Sequence, residues 1–187
     1  DSSPAMLASC EARLEDIGYE TMLFLQDATT LNLPFRYRAA FIAAGSLQLI
    51  IDPHAACTAL ERIRAHLVDP GILLLDFLVP DVAAHPPGAP VVEARTLPLY
   101  DGLKIAHRSE TFVDVDGRRI DVKSRYEKRT GPMILAREDQ TLALTWYTED
   151  EARALVADAG FRDIRIEPSP FADRRAQQRF AISARTG

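Results

Sequence analysis

The stretch Ile72-Leu73-Leu74-Leu75-Asp76-Phe77 decides the fold. A continuous apolar run of this kind, preceded by the turn signal Asp69-Pro70-Gly71, predicts a strand covered on both faces, as in a parallel sheet. The residues before that turn predict a helix that Asp52 caps and Pro53 begins. Its inner stripe consists of Ala56, Leu60, Ile63 and Leu67. A small-residue strand over Ala39–Ala44 comes earlier, so the order strand, helix, strand indicates an α/β fold.

The amino-terminal part of the sequence predicts one further helix and one further strand. Ser3 caps a helix over Pro4–Ile17, and a strand over Glu20–Gln26 ends in Asp27-Ala28. Asp1 stands where a parallel strand would pass into the helix. A carboxylate at such a corner can accept two O–H donors, such as the two hydroxyls of a ribose.

From Asp81 onward the pattern is typical of antiparallel strands. The proline-rich segment Ala84–Pro90 predicts a loop, and Asp116-Gly117 between two alternating runs is a strong hairpin signal. We therefore expect a single domain over residues 1–187, with a β-rich insert over residues 81–146. The strands predicted in the insert are Val91–Leu97, Ile105–Val115, Arg118–Lys128 and Met133–Trp146.

The carboxyl-terminal part returns to a helix and strands. Thr148-Glu149-Asp150-Glu151 is a capping box, which predicts a helix that continues through Ala159. Two final strands are expected over Arg162–Glu167 and Arg179–Ala184. The antiparallel insert therefore stands before the last helix.

The composition is typical of a globular protein without an electrostatic signature for nucleic acid. The chain has 187 residues, a formal net charge of −5 and 47% hydrophobic residues. Its basic residues alternate with acids, which predicts a solvated sheet face at Arg118-Arg119, Lys123, Arg125, Lys128 and Arg129, and a surface turn at Arg174-Arg175. The four histidines are scattered and predict no metal site. Cys10 and Cys57 are interpreted as reduced thiols in a cytoplasmic protein.

Five segments stand in a recognisable order along the chain. The first is Asp1-Ser2-Ser3-Pro4-Ala5-Met6-Leu7, and the others are LFLQDATTLNLP, YRAAFIAAGSLQLI, LVDPGILLLDF and TWYTEDEARALVADAGFRDIRI. Together they resemble the class I S-adenosylmethionine-dependent methyltransferases, in the branch that acts on small molecules and carries an antiparallel insert before the last helix. The resemblance implies a Rossmann-like sheet. The glycine-rich turn that follows the first strand of that family is not in this sequence, so an N-terminally truncated sheet from a longer protein is expected.

The resemblance implies S-adenosylmethionine as the cofactor, held at the carboxyl ends of the strands. Asp1 would accept the ribose hydroxyls, Asp27 would accept the adenine amino group, and the Ala28 N–H would donate to a ring nitrogen. Met6 would cover the adenine face. The expected cofactor-binding residues are Asp1, Ser2, Met6, Asp27, Ala28, Ala44, Gly45 and Ser46.

Aromatic residues at the borders of the insert are the expected substrate-binding residues. Trp146 and Tyr147 would form one wall of the substrate pocket, together with Tyr100. The sequence does not identify a catalytic base; the candidates are Tyr100, His107, Glu110, Tyr147 and His85.

A simpler interpretation stays open for each of the main candidates. Asp1 could be a chain end beside a capping residue, and Asp27 a turn residue. Met6 could belong to the core, and Gly45-Ser46 could only end a strand. Trp146-Tyr147 could pack the insert against the sheet.

The sequence therefore predicts methyl transfer from S-adenosylmethionine to a small-molecule acceptor by a cytoplasmic enzyme. No nucleic-acid, membrane or metal partner is expected, and a homodimer is left open. Two alternatives remain. One is a non-catalytic, methyltransferase-like partner protein. The other is a nicotinamide-dependent oxidoreductase, because an acid after the second strand also suits the ribose of that cofactor.

Overall fold

The computed structural model describes residues 1–86, 88–169 and 178–187. Within these ranges, three α-helices and eight strands form in the order α1, β1, α2, β2 to β6, α3, β7, β8. The helices are α1 Pro4–Asp16, α2 Pro53–Ala65 and α3 Glu149–Asp158. The strands are β1 Tyr37–Ile42, β2 Leu67–Val79, β3 Val91–Pro98, β4 Leu103–Asp114, β5 Arg119–Thr130, β6 Met133–Thr145, β7 Arg162–Pro168 and β8 Gln178–Arg185.

The helices begin at the caps that the sequence predicts. Ser3 and Asp52 accept hydrogen bonds from the first-turn N–H groups of α1 and α2. The capping box of α3 is complete, since the Thr148 hydroxyl accepts from the Glu151 N–H while the Glu151 carboxylate accepts from the Thr148 N–H. These caps use backbone donors that a helix leaves without internal partners.

The first sheet has the strand order β1-β2-β8-β7. Strands β1 and β2 are parallel, whereas β8 is antiparallel to both β2 and β7. Helices α2 and α3 supply apolar side chains to the core on one face of this sheet. The buried members of the core include Ala56, Leu60, Ile63, Leu73, Leu75, Phe77, Leu155, Val156, Phe161, Phe180 and Ile182. The expected α/β fold is therefore confirmed.

The opposite face of the first sheet, which we call the open face, carries Phe41, Ile72, Leu74, Asp76, Glu167 and Ala181. Phe41 is 73% exposed and Leu74 is 46% exposed. The prediction that the Ile72–Phe77 strand is covered on both faces is therefore wrong for the described residues. Successive strand side chains point to opposite faces, and here only the side that bears Leu73, Leu75 and Phe77 faces the helices.

Two further predictions about strands are also wrong. Leu67 of β2 pairs with Tyr37 of β1, and Ile72 pairs with Ala39 only two residues further along β1. Asp69-Pro70-Gly71 is therefore an irregularity within β2 rather than a turn before the strand. The segment Glu20–Gln26 does not form a regular strand. Among the described residues, its backbone forms inter-segment hydrogen bonds with Asp1 alone. A regular strand needs a neighbouring segment of several residues with which to pair.

The second sheet is the antiparallel sheet β3-β4-β5-β6, which falls within the predicted insert. The hairpin at Asp116-Gly117 joins β4 to β5 as predicted. Arg119, Arg125 and Arg129 share one face of β5 by alternation, but the predicted companion Lys128 points to the other face. The face of the second sheet that carries these three arginines is the charged face. Its ion pairs join Arg108 to Glu110, Arg119 to Asp121, Arg125 to Asp139, and Glu127 to both Arg129 and Arg137.

The predicted turn at Arg174-Arg175 lies outside the described residues. Both cysteines are free thiols, and burial raises the pKa of the Cys57 thiol. No helix within the described ranges is long and apolar enough to cross a membrane.

Candidate functional site

Asp1 lies against the segment that leads to Asp27. The amino nitrogen of Asp1 donates to the Phe24 carbonyl at 3.1 Å, and the Gln26 N–H donates to the Asp1 carbonyl at 3.0 Å. This pattern pairs Asp1 with Leu25 in the parallel sense. Neighbouring strands are about 4.8 Å apart and rise about 3.3 Å per residue, so the Cα atoms of Asp1 and Asp27 are about 8 Å apart. The structure therefore brings these two acids together.

The Asp27 carboxylate is ionised and held in a fixed orientation. Its Oδ1 accepts from the Thr29 N–H at 2.8 Å and from the Thr29 hydroxyl at 2.5 Å. These two hydrogen bonds hold the pKa of Asp27 below its usual value. Asp27 thereby caps the one-turn 3-10 helix Ala28–Thr30. The side chain is exposed, and the capping bonds use only Oδ1, so Oδ2 is available to a ligand.

The loop after Asp27 is fixed by side-chain hydrogen bonds to the backbone. The Gln26 amide exchanges two hydrogen bonds with the backbone of Asn32, at 2.7 and 3.0 Å. His66 accepts from the Leu33 N–H at 2.8 Å and so ties the loop to the end of α2. A turn held in this way can present Asp27 and Ala28 without reorganising when a ligand arrives.

The remaining predicted residues beside Asp1 are open to solvent. Met6 is 58% exposed on α1, and Ser2 is also exposed. The interpretation of Met6 as a core residue is therefore wrong. Asp1 Oδ1 accepts from the Ser3 N–H at 2.8 Å, so one carboxylate oxygen orients the start of α1.

The loop Ala43–Ser46 leaves the carboxyl end of β1 through two residues with positive φ, namely Ala44 at 55° and Gly45 at 70°. Gly45 is buried, and a Cβ on it would lie 2.6 Å from Gln48 Oε1 and 3.0 Å from Leu78. Packing inside the protein therefore requires a glycine at this position, independently of any ligand. Ser46 donates from its N–H and its hydroxyl to the Ala43 carbonyl.

Gln48 lies beside the Ala43–Ser46 loop, and the sequence analysis missed its structural role. It is completely buried, and its amide nitrogen donates to the carbonyls of Leu78 and Thr145, both at 2.9 Å. Its amide oxygen accepts from the Leu78 N–H at 2.7 Å. Gln48 therefore joins the end of β2 in the first sheet to the end of β6 in the second. The only sequence signal was a single polar residue within the apolar run Leu47-Gln48-Leu49-Ile50-Ile51.

Trp146 and Tyr147 are buried where β6 meets the core. They are 6% and 7% exposed, and the Tyr147 ring meets Phe77 edge-on at 5.9 Å. The Arg118 guanidinium lies 4.0 Å from the centre of the Trp146 ring. This geometry matches the alternative interpretation, in which the pair packs the insert against the sheet.

Two buried donors of this pair have no hydrogen-bond partner among the described residues, namely Trp146 Nε1 and Tyr147 Oη. A cavity of about 340 Å³ lies beside them, and its lining includes Arg118 and Glu151. Burial, together with the charges of Asp52 and Glu151, raises the pKa of Tyr147. Tyr147 is therefore a neutral donor at ordinary pH rather than a base.

Tyr100 is not brought to this pair. It lies in the turn between β3 and β4 and is 70% exposed. Strand β4 pairs Leu103 with Thr130 at that end and Asp114 with Arg119 at the end near Trp146. The strand has 12 residues, and such a strand is about 37 Å long. One chain therefore cannot place Tyr100 and Trp146 against the same small molecule.

His107 is unsuited to act as a base in this arrangement. Its Nδ1 accepts from Arg95 Nε at 3.2 Å, which leaves the ring proton on Nε2, directed at the Ser124 hydroxyl at 3.3 Å. Burial and the Arg95 charge lower the pKa of His107. Glu110 pairs with Arg108 at 3.1 Å, whereas His85 meets the Asp81 carbonyl through Nδ1. His85 thus keeps Nε2 as an acceptor.

No group of three or more His, Cys, Asp or Glu side chains in the described part of the chain could hold a metal ion.

No protein-family model matches the chain, and no curated protein matches it. Solved structures do match. An S-adenosylmethionine-dependent methyltransferase from Clostridium acetobutylicum superposes with a TM-score of 0.78 at 16% identity, over 100% of this chain and 73% of that one. The amino pentose methyltransferase CalS10 from Micromonospora echinaspora gives 0.73 at 22% identity, over 100% and 72%. The sugar N-methyltransferase KedS8 from Streptoalloteichus gives 0.73 at 19% identity, over 97% and 68%.

The chain therefore has the fold of the class I S-adenosylmethionine-dependent methyltransferases, as the resemblance of its five segments predicted. The superpositions establish the fold, and a fold alone does not define an activity.

Proposed function

We propose that this chain binds S-adenosylmethionine and takes part in methyl transfer to a small-molecule acceptor. The observation that carries the proposal is the pairing of Asp1 with the segment before Asp27. It brings together two exposed acids whose Cα atoms are about 8 Å apart, each at the end of one of two paired extended segments. The matched structures support the proposal, since their names describe methyltransferases of an amino pentose and of sugars.

The hydrogen-bonding groups of these residues fit the adenosine part of the cofactor. The Asp1 carboxylate accepts from the ribose hydroxyls, and Asp27 Oδ2 accepts from the adenine amino group, while the Ala28 N–H donates to a ring nitrogen. Exposed Met6 covers the adenine face, with Ser2 beside the ribose. Ala44, Gly45 and Ser46 line the part that carries the methyl group. When bound, S-adenosylmethionine supplies an electrophilic methyl group on a sulfonium.

The protein has to align the acceptor with the methyl group and exclude water. In this proposal Trp146 and Tyr147 form the wall of the substrate pocket beside Gln48. They keep this wall rigid and free of water, because both are buried at the junction of the two sheets. Their unpartnered donors can bind an acceptor oxygen of the substrate at the cavity beside them.

A homodimer and a cytoplasmic location complete the proposal. Tyr100, exposed at the far tip of the second sheet, would contribute to substrate binding in the partner copy of a homodimer. The sheet supports such contact because one face is charged while the other carries Ile105, Val113 and Val122. The two free thiols support a reducing compartment.

Calorimetric titration with S-adenosylhomocysteine tests the proposal. We expect binding that falls about tenfold or more in Asp1→Asn and in Asp27→Asn, because each substitution removes a charged hydrogen-bond acceptor. The matched control is Asp16→Asn at the exposed end of α1, which should bind as the parent does. The absence of binding heat would refute the proposal, and so would equal affinity in all three variants. Tighter binding of NADH, titrated in parallel, would favour an oxidoreductase.

A further inference from the structure

Gln48 stands where three parts of the molecule meet. Its backbone belongs to the short 3-10 helix Ser46–Leu49, and its N–H donates to the Gly45 carbonyl at 2.9 Å. Its side chain reaches the end of β2 at Leu78 and the end of β6 at Thr145. The residue is completely buried, so it has no exposed atom with which to bind a ligand. Any part that it plays in function must therefore act through its neighbours.

In the first sheet, the Gln48 amide takes over where the pairing of β1 with β2 ends. The last pair of that ladder is Ile42 with Leu75. Three residues further along β2, the amide oxygen accepts from the Leu78 N–H at 2.7 Å, and the amide nitrogen donates to the Leu78 carbonyl at 2.9 Å. Backbone groups inside a protein need such partners. The side chain of Gln48 is thus fixed to both backbone groups of one residue of β2.

The end of β2 is itself held in place by the neighbouring strand β8. Leu78 pairs with Arg179 of β8. The Arg179 guanidinium donates to Oδ2 of Asp76 at 3.3 Å, and the Asp76 side chain is only 8% exposed. Regions with buried contacts and paired backbone groups are the ones that open least often. The position of the Gln48 amide is therefore determined by the first sheet.

In the second sheet, the same amide holds the peptide group that leads into Trp146. The amide nitrogen of Gln48 donates to the Thr145 carbonyl at 2.9 Å. The Trp146 N–H, which belongs to the same peptide group, donates to the Arg118 carbonyl at 3.1 Å. The Thr145 hydroxyl donates to that carbonyl as well, at 3.0 Å. This peptide group is therefore held by Gln48 at its oxygen and by the second sheet at its N–H.

Gln48 also supports the loop proposed for the methyl-bearing part of the cofactor. A Cβ on Gly45 would lie 2.6 Å from Gln48 Oε1, so the loop rests directly on the amide. Ser46 closes the loop by donating from its N–H and its hydroxyl to the Ala43 carbonyl. Close-packed interiors transmit such displacements. The loop cannot move towards β6 without moving the Gln48 amide, and with it the Thr145 carbonyl.

We propose that Gln48 is a positioning residue, which fixes the Ala43–Ser46 loop relative to the wall formed by Trp146 and Tyr147. The inference rests on the proposed function and specifies how its cofactor site and its acceptor site are held at the right distance. Methyl transfer needs this control, because the reacting atoms must approach to about 3–3.5 Å and an error of about 1 Å can lower the rate about a hundredfold. Gln48 contributes no group to the reacting atoms.

Two ligands, adenosine and S-adenosylhomocysteine, separate positioning from folding. Both carry the nucleoside proposed for Asp1 and Asp27, but only S-adenosylhomocysteine extends to the Ala43–Ser46 loop. In Gln48→Leu, calorimetry should show an affinity for S-adenosylhomocysteine lowered by about tenfold, because the loop is no longer preorganised, and an affinity for adenosine within about twofold of the parent. The matched control is Gln140→Leu, an exposed glutamine on β6, which should bind both ligands as the parent does.

The parent protein provides a second test, because Gln48→Leu loses three buried hydrogen bonds and can fail to fold. In amide NMR spectra of the parent, S-adenosylhomocysteine should shift the N–H resonances of Leu78 and Trp146, whereas adenosine should leave both unchanged. Unchanged resonances with S-adenosylhomocysteine would overturn the inference, and so would equal shifts with adenosine. Equal changes of the two affinities in a folded Gln48→Leu would also overturn it. A parent that binds neither ligand would instead refute the proposed function.

Discussion

Replacing Gln48 by leucine should destabilise the protein strongly, although the two side chains have similar volumes. The amide makes three hydrogen bonds of 2.7 to 2.9 Å in a completely buried position. Leucine removes all three and leaves the Leu78 N–H and the carbonyls of Leu78 and Thr145 without those partners. At about 1–2 kcal/mol for each bond, the expected loss is about 3–6 kcal/mol. Whole domains have unfolding free energies of about 5–15 kcal/mol, so the loss is large.

Urea unfolding followed by far-ultraviolet circular dichroism measures this loss. The matched control is Gln140→Leu on β6, whose side chain is exposed, and it should change the unfolding free energy by less than about 0.5 kcal/mol. Gln48→Glu should be at least as damaging at neutral pH, because a carboxylate cannot donate to the two carbonyls. A loss below about 1 kcal/mol in Gln48→Leu would refute the claim that this side chain joins the two sheets.

Three further changes probe other parts of the structure by the same measurement. Gly45→Ala should destabilise by more than the roughly 1 kcal/mol expected from positive φ alone, because its Cβ would clash with the Gln48 amide. Thr148→Ala should lose about 1 kcal/mol, because it removes the hydroxyl of the capping box. Hydrogen bonds from two arginines hold the pKa of Glu127 below its usual value of 4.5. The ion pairs therefore stabilise the protein above about pH 4.5, and this contribution should disappear as the pH falls through the lowered pKa.

Each of these expectations has its own control. Gly18 has a similar φ of 66°, but no atom lies within 4 Å of the position that a Cβ would take. Gly18→Ala should therefore lower the unfolding free energy clearly less than Gly45→Ala, and equal losses in the two variants would contradict the packing argument. Thr148→Ser keeps a hydroxyl and should retain most of the stability of α3. Glu127→Gln should show a weaker loss of stability on acidification than the parent, and parallel pH profiles would disprove the assignment to Glu127.

Local signals in the sequence predicted most elements of the fold. The capping residues of all three helices and the turn at Asp116-Gly117 each act within a few residues, so their chemistry can be read from the chain itself. Register and coverage depend on distant partners. The apolar run Ile72–Phe77 could not reveal that one face would be open, and Glu20–Gln26 could not reveal how little pairing it would find.

The candidate site was predictable to a similar extent. Asp1 and Asp27 stand where the sequence predicts strand ends, and the structure brings them together although neither segment forms a regular strand. Gln48 and Asp76 were harder to predict, because their importance lies in hydrogen-bond partners that are far away along the chain. The separation of Tyr100 from Trp146 also depends on strand register, which residue types alone do not determine.

The position of Trp146 gives the molecule a built-in optical reporter. It is the one tryptophan of the sequence, and its ring lies under the Arg118 guanidinium. It follows Thr145, whose carbonyl accepts the hydrogen bond by which Gln48 links the two sheets. Its emission spectrum therefore reports on that junction alone, without interference from a second indole. A shift to longer wavelength would mean that water has entered between the sheets, and it can be read during any titration without a label.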